Sequence, residues 1–169
     1  MTPVTLSDIP ALSALARLTF TETFAHLYPP ADLQHFLDTA YSEAALAQEV
    51  ANPDHFIRII YDADHQPQAY IQATPVCLPY ADADPDRHGE IKRLYVRQSA
   101  QARGLGKQLL SAGLDYLSTR YPSAPQWIGV WSENHKAQSL YASYGFTKVS
   151  EYGFPVGETI DLEYILRRR

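Results

Sequence analysis

A chain of 169 residues, 46 % apolar and 20 % charged, is large enough for one well-cored domain and small for two, since domains commonly run to about 100–150 residues. Its formal charge of −5 disfavours nucleic acid, whose phosphates are held by clustered Lys and Arg, and no unbroken apolar run is long enough for a membrane span. One cysteine, Cys77, excludes an internal disulfide, fits a reducing cytoplasm and reads as a small strand residue. The N-terminus lacks a basic start followed by a continuous apolar stretch, so a secretory signal is not expected, and Arg167–Arg169 read as a solvated tail.

Ser7 is placed to cap a helix in which Ile9, Leu12, Leu15, Ala16, Leu18 and Thr19 recur at helical spacing, reaching about Ala25. Pro29 and Pro30 interrupt. ADLQHFLDTA then reads as a short helix, and Ser42 caps another, EAALAQEVAN, ending near Asn52. HFIRIIY and QAYIQATPVCL, joined by DADHQP, read as a β-hairpin, and PYADADPDRHG as a loop. EIKRLYV is a strand, followed by the helix GLGKQLLSAGLDYLSTRY with Leu105, Leu109, Leu110, Leu114 and Leu117 along one side. APQWIGVWS is a strand whose Trp127 and Trp131, four apart, share a face and read as core. NHKAQSLYASYGF is a helix closed by Gly145, and TKVSEYGFPVGETIDLEYILRR reads as two strands around PVGE. Strands alternating with helices in the second half predict an α/β fold, a mixed sheet covered by helices, in a single domain over 1–169 with no internal repeat.

The stretch QARGLGK places two glycines, Gly104 and Gly106, where a strand hands over to a helix. The first turn of a helix has N–H groups without internal partners, and the helix dipole adds partial positive charge there. Glycines let a phosphate approach those amides, so residues Arg103 to Lys107 could cradle a pyrophosphate, with Arg103 and Lys107 adding charge. A mononucleotide loop ending in G-K-[ST] is absent, because Gln108 follows Lys107. The dinucleotide fingerprint fails as well, because Leu109 stands at its third glycine.

Gln101-Ala102-Arg103-Gly104-Leu105-Gly106 resembles the Q/R-x-x-G-x-G/A pyrophosphate loop of the GNAT acetyltransferases, and Asn134, Ala137, Tyr141 and Gly145-Phe146 match that family's N-x-x-A-x-x-x-Y-x-x-x-G-F helix. FTETF, IKRLYV and WIGVWSENHKAQSLYASYGF look most like the bacterial branch that includes spermidine and spermine N-acetyltransferases. One departure concerns a His-x-Phe often found in that branch, where this chain has Tyr152-Gly153-Phe154 ahead of Gly157 and Asp161. The resemblance implies a mostly antiparallel sheet flanked by helices, acetyl-CoA as co-substrate, and direct attack of a primary amine on the thioester.

It also implies site residues. The strand Leu94-Tyr95-Val96 would pair its main chain with the pantetheine arm, with Val96 N–H a candidate oxyanion donor; as plain sheet residues they would do no more than fill the core. Tyr141 is the candidate general acid, and the family register prefers it to Tyr144. Asn134 would orient the cofactor or cap its helix, with Ala137 beside it. Glu90 would accept the amine proton, or else be a solvated strand end. Glu22 and Asp32 are candidates for binding a cationic amine, which the acidic balance suits, and Tyr28 and Tyr80 for shaping its pocket. His88 and His135 form no metal pattern, so no metal site is expected. The expected acceptor is a small amine, a polyamine among the candidates. The alternatives are acetylation of a protein N-terminus or lysine, and an acyl-CoA sensor without transfer activity; edge strands leave a homodimer open.

Overall fold

In the computed structural model, which describes residues 1–169, the chain opens with a two-residue strand, β1 (Thr2–Pro3), a 3₁₀ turn (Leu6–Asp8) and helix α1 (Ile9–Phe24). Thr5, not Ser7, starts this segment. The Asp8 carboxylate accepts from Thr5 N–H at 2.8 Å and from the Thr5 hydroxyl at 2.7 Å, and Asp8 N–H donates back to Thr5 O at 3.0 Å, with Asp standing where Glu or Gln is usual. Helices α2 (Pro30–Ala40) and α3 (Glu43–Ala51) follow, and Ser42 Oγ caps α3 by accepting from Ala45 N–H at 3.2 Å. No helix is long and apolar enough to cross a membrane.

Strands β2 (Phe56–Tyr61) and β3 (Pro67–Pro75) make the expected hairpin, but β3 stops before Cys77. The Cys77 N–H goes to the Glu90 side chain instead of a neighbouring strand, so Cys77 is a loop residue. Next come β4 (Gly89–Val96), α4 (Leu105–Arg120), β5 (Gln126–Trp131), α5 (His135–Ser143), β6 (Thr147–Val156) and β7 (Thr159–Arg168). The basic terminus is therefore not a tail. Arg167 and Arg168 belong to β7, where Arg168 Nε donates to Gln126 Oε1 at 2.6 Å and the Arg167 guanidinium lies over the Trp127 ring.

The strands form one sheet in the order β1-β2-β3-β4-β5-β7-β6, antiparallel except for β4 and β5. One face carries α4, through Leu109, Leu110, Leu114 and Leu117 against Ile71, Ile91 and Ile128, and α5, through Tyr141. Burying each of these leucines is worth about 1.5–3 kcal/mol, so α4 is anchored and its N-terminus is a fixed point. On the opposite face Leu12, Leu15 and Phe20 of α1 and Leu46 of α3 pack over Ile57, Ile59 and Tyr70.

The parallel pair is short. It joins only Gly89 to Gln126, Glu90 to Trp127 and Ile91 to Ile128. Beyond it, Ile91 and Arg93 face adjacent residues of β3, so Lys92 is the extra residue of a bulge and β4 bends away from β5. Arg93 donates to Glu49 of α3 and, at 2.8 Å, to Gln72, tying α3 to the bend. The parting of two central strands opens the sheet from one face to the other.

Candidate active site

An open cleft of about 870 Å³ occupies that gap and reaches from α4 and α5 on one face to α1 and α2 on the other. At the α4 end, Ala102 (φ 62°) and Gly104 (φ 81°) take left-handed backbone angles, which turn successive N–H groups to one side as in an anion-binding nest. None of the N–H groups from Ala102 to Lys107 donates to a protein acceptor. A Cβ built on Gly104 would meet nothing within 4 Å, and one on Gly106 would meet only Val96, at 3.7 Å. Space above the amides is thus left free by the protein itself. An anion with several oxygens, such as a diphosphate, fits this cradle and the dipole of α4.

Gln101 fixes the cradle to its surroundings: its amide donates to Val96 O at 3.2 Å and its Oε1 accepts from Lys136 Nζ at 2.6 Å. Lys107 and Lys136 both line the cleft, as do Gln101, Ala102, Gly104, Leu105 and Gly106. Arg103 does not; its guanidinium turns back to Ser99 O, 3.1 Å away.

Leu94, Tyr95 and Val96 line the gap along the edge of β4. Arg97 N–H donates to Gln68 O of β3, so strand alternation turns the N–H groups of Leu94 and Val96 to the opposite edge, which β5 has left unpaired. An extended ligand arm can add itself there as a strand would.

Across the gap, Asn134 Oδ1 caps α5 by accepting from Ala137 N–H at 3.1 Å, and both residues border the cleft. Two turns into α5, Tyr141 is 7 % exposed and its phenol reaches the cleft. Burial, and after it the charge of Glu163, raises this phenol above its ordinary range, so it holds its proton at neutral pH. Tyr144 points elsewhere, with its hydroxyl 3.1 Å from Ser111 Oγ on α4.

The far end is built from carboxylates and aromatic rings. Glu90 is 2 % exposed and accepts from Cys77 N–H and Cys77 Sγ, each at 3.0 Å; burial pushes its carboxyl up. The Cys77 thiol is pushed up to about 12 by burial and by Glu90. The Tyr28 hydroxyl donates to Asp161 and the Tyr152 hydroxyl to Glu163, and burial first, then the carboxylate partner, raises both phenols. Phe20, Phe24, Phe36, Trp131 and Phe154 complete the wall.

The structure brings Tyr28, Glu90 and Tyr141 together on this cleft but leaves three expected substrate-binding residues outside it. Glu22 accepts from Gln98 N–H at 2.8 Å and braces the turn after β4. Asp32 accepts from Glu158 N–H at 3.3 Å, joining α2 to the β6–β7 turn. Tyr80 packs on buried Trp127, ring centroids 5.4 Å apart. Trp131, expected in the core with Trp127, is a cleft residue, because β5 ends beside the gap. Asp161, Glu163, Tyr152 and Lys136 are cleft residues to which the sequence assigned no role, although Tyr152 and Asp161 stand in the departure from the His-x-Phe pattern. For Glu163 the available signal was alternation along β7, which puts it on one sheet face with Asp161.

Residues 12–146 match the model of the Acetyltransferase (GNAT) family. An uncharacterized N-acetyltransferase of Lactobacillus delbrueckii subsp. lactis is 32 % identical over 98 % of this chain and 94 % of its own length. Among solved structures, the PaiA N-acetyltransferase of Thermoplasma acidophilum in complex with coenzyme A superposes with a TM-score of 0.77 at 19 % identity, covering 99 % of this chain and 96 % of that one. The ribosomal-protein-S18-alanine N-acetyltransferase of Escherichia coli follows at a TM-score of 0.69 and 20 % identity, covering 98 % and 90 %. These two likenesses are of fold. The matched region holds α4, α5, the parted strands and the amide cradle between them, and the chain belongs to the GNAT family of acetyltransferases.

Proposed function

We propose that the chain transfers the acetyl group of acetyl-CoA to the primary amine of a small cationic molecule, with both substrates held in the one cleft. The observation that carries this reading is the run of unpartnered amides from Ala102 to Lys107, opening onto the same gap as Glu90, Asp161 and Glu163. Acetyl-CoA, when bound, supplies an activated acyl carbon and a thiolate leaving group. The cradle with Lys107 and Lys136 holds its phosphates, and the free edge of Leu94–Val96 holds its extended arm.

The other steps belong to side chains and main chain of the protein. Val96 N–H is directed to the open edge, where it donates to the acyl oxygen as charge develops there. Tyr141 Oη carries a proton to the departing sulfur, and its buried phenol keeps that proton available. A carboxylate of the far end takes a proton from the incoming ammonium. Holding the reactants together replaces a collision with a fixed geometry.

A small acceptor is favoured over a polypeptide by the way the far end is closed. Tyr28 with Asp161, and Asp32 with the N–H of Glu158, tie α2 and the turn before it to the β6–β7 hairpin. Polyamines, acceptors of the branch that the sequence resembles, come first in the test, since three carboxylates line the cleft. The test is release of free thiol from acetyl-CoA with a panel of polyamines, aromatic monoamines and peptides with free N-termini. Turnover with a small amine above that with peptides is expected. Acetylation of peptides alone overturns the small-molecule acceptor, and coenzyme A binding without transfer to any amine overturns the enzyme.

A further inference from the structure

We propose that Glu163, held by Tyr152, is the carboxylate that takes the amine proton, and that Glu90 instead secures the Val76–Leu78 segment; the assignment rests on the acetyl-transfer reading above. Three carboxylates line the cleft, and their partners separate them. Each oxygen of Glu90 already accepts from Cys77, one from the N–H and one from the thiol, and the side chain is 2 % exposed. Asp161 accepts from Tyr28 and sits two residues before Glu163, about 6–7 Å further along β7. Since Glu163 pairs with Trp131, the last residue of β5, Asp161 lies past the end of that strand.

Glu163 has one oxygen engaged. Its Oε2 accepts from Tyr152, its cross-strand partner, while Oε1 has no protein donor. It stands over Gly129, where an added methyl would lie 3.1 Å from Glu163 Oε2 and 3.2 Å from Tyr152 Oη. Gly129 is the first residue of β5 beyond its pairing with β4, so the carboxylate faces the mouth of the gap. Tyr141 lies across that gap and feels the charge of Glu163. Acid and base thus approach the reacting centre from opposite faces of the sheet.

The protons balance. The ammonium nitrogen loses two in becoming an amide: the first passes to Glu163 Oε1, and leaves to solvent after turnover, while the second ends on the departing sulfur by way of Tyr141. The N–C bond forms as the C–S bond breaks. Burial raises the Glu163 carboxyl above 4.5, as do the charges of Asp161 and Glu90, while the Tyr152 hydrogen bond opposes them. The groups that face it are Tyr152 from β6, Asp161 on its own strand, Glu90 from β4, Tyr141 from α5 and Tyr28 from the turn before α2, with Cys77 behind Glu90. No lysine or arginine is among the groups that move it.

The test compares kcat/KM against pH for the full chain and for Glu163→Gln, Glu90→Gln and Tyr152→Phe, using the amine of highest turnover, with coenzyme A affinity measured by calorimetry. Glu163→Gln is expected to lose on the order of 100-fold or more in kcat/KM and to flatten the acid limb, with coenzyme A affinity kept. Tyr152→Phe keeps the limb but moves it to higher pH, because the hydrogen bond that lowers the carboxyl is gone; this arm decides the matter even where Glu163→Gln folds poorly. Glu90→Gln keeps the limb but moves it to lower pH, because a charge that raises the Glu163 carboxyl is gone, and it lowers thermal stability. The proposal is overturned by a Glu163→Gln limb like that of the parent, by a Tyr152→Phe limb that does not move, or by loss of the limb in Glu90→Gln. A parent chain that binds coenzyme A and acetylates nothing strikes the transfer reading, a result distinct from any of these.

Discussion

At one end of the cleft the groups offered to a ligand are main-chain N–H bonds of a single stretch, Ala102–Lys107, positioned by two left-handed residues and by the anchoring of α4. At the other end they are carboxylates and phenols delivered from β4, β6, β7 and the turn before α2. A main-chain cradle recognises any ligand with the right anion and tolerates change in the side chains around it. A side-chain wall is specific, and each of its members is exposed to single substitutions. On the proposed function, the donor of the acetyl group and its acceptor are therefore held by different kinds of structure.

The sharpest break in this comparison is expected at the residue between the two ends. Tyr141→Phe removes the proton carried to sulfur but no cradle contact, so kcat falls by on the order of 100-fold or more while calorimetric coenzyme A affinity is retained. A loss of affinity equal to the loss of turnover would make Tyr141 a binding residue only.

Gly106→Ala comes next. The methyl meets the protein at ordinary contact distance, 3.7 Å from Val96, but enters the space above the amides. Coenzyme A affinity drops about tenfold, near 1.4 kcal/mol, with the melting temperature unchanged. Gly104→Ala differs in kind: at φ 81° a Cβ costs about 1–2 kcal/mol of folding stability, visible in the melting curve without ligand.

Smaller still is the effect of Tyr28→Phe, which leaves Asp161 without its donor and raises KM for the amine several-fold with coenzyme A affinity intact. An equal weakening of both ligands would erase the distinction between the ends.

The smallest effect is on stability against pH. The folded carboxyl of Glu163 titrates above its ordinary 4.5, so the stability it contributes is present below that pH and is lost as pH rises through the folded value. Glu163→Gln has no such proton to lose, and its melting temperature is expected to rise relative to the parent from pH 4.5 toward neutrality. A constant difference across that range would mean that Glu163 is not raised.

The donor end was legible in QARGLGK because its groups are consecutive and their directions follow from one strand-to-helix junction. Tyr141 was singled out over Tyr144 by the register of the family that the sequence resembles, and it borders the cleft while Tyr144 turns to Ser111. At the acceptor end the same reading named Glu22, Asp32 and Tyr80, and each proved to be a brace or a packing residue. Acidic residues and tyrosines are common enough that type alone does not say which side of an element faces the gap. Cys77 and the terminal arginines show the same limit, as their surroundings come from Glu90, Gln126 and Trp127, remote in the chain.

By itself the sequence determined the main helices and strands and the glycine-opened helix start, because each of these is a property of a window shorter than one helix and one strand, while the choice of Tyr141 came from the family register that the sequence resembles. Only the tertiary structure decided that β4 parts from β5 after Ile91, and that Tyr152, Glu163 and Gly129 meet at the gap this leaves. Those positions depend on the pairing of β5, β6 and β7 and on the bulge at Lys92, and strand pairing between distant segments is settled by the packing of the whole sheet.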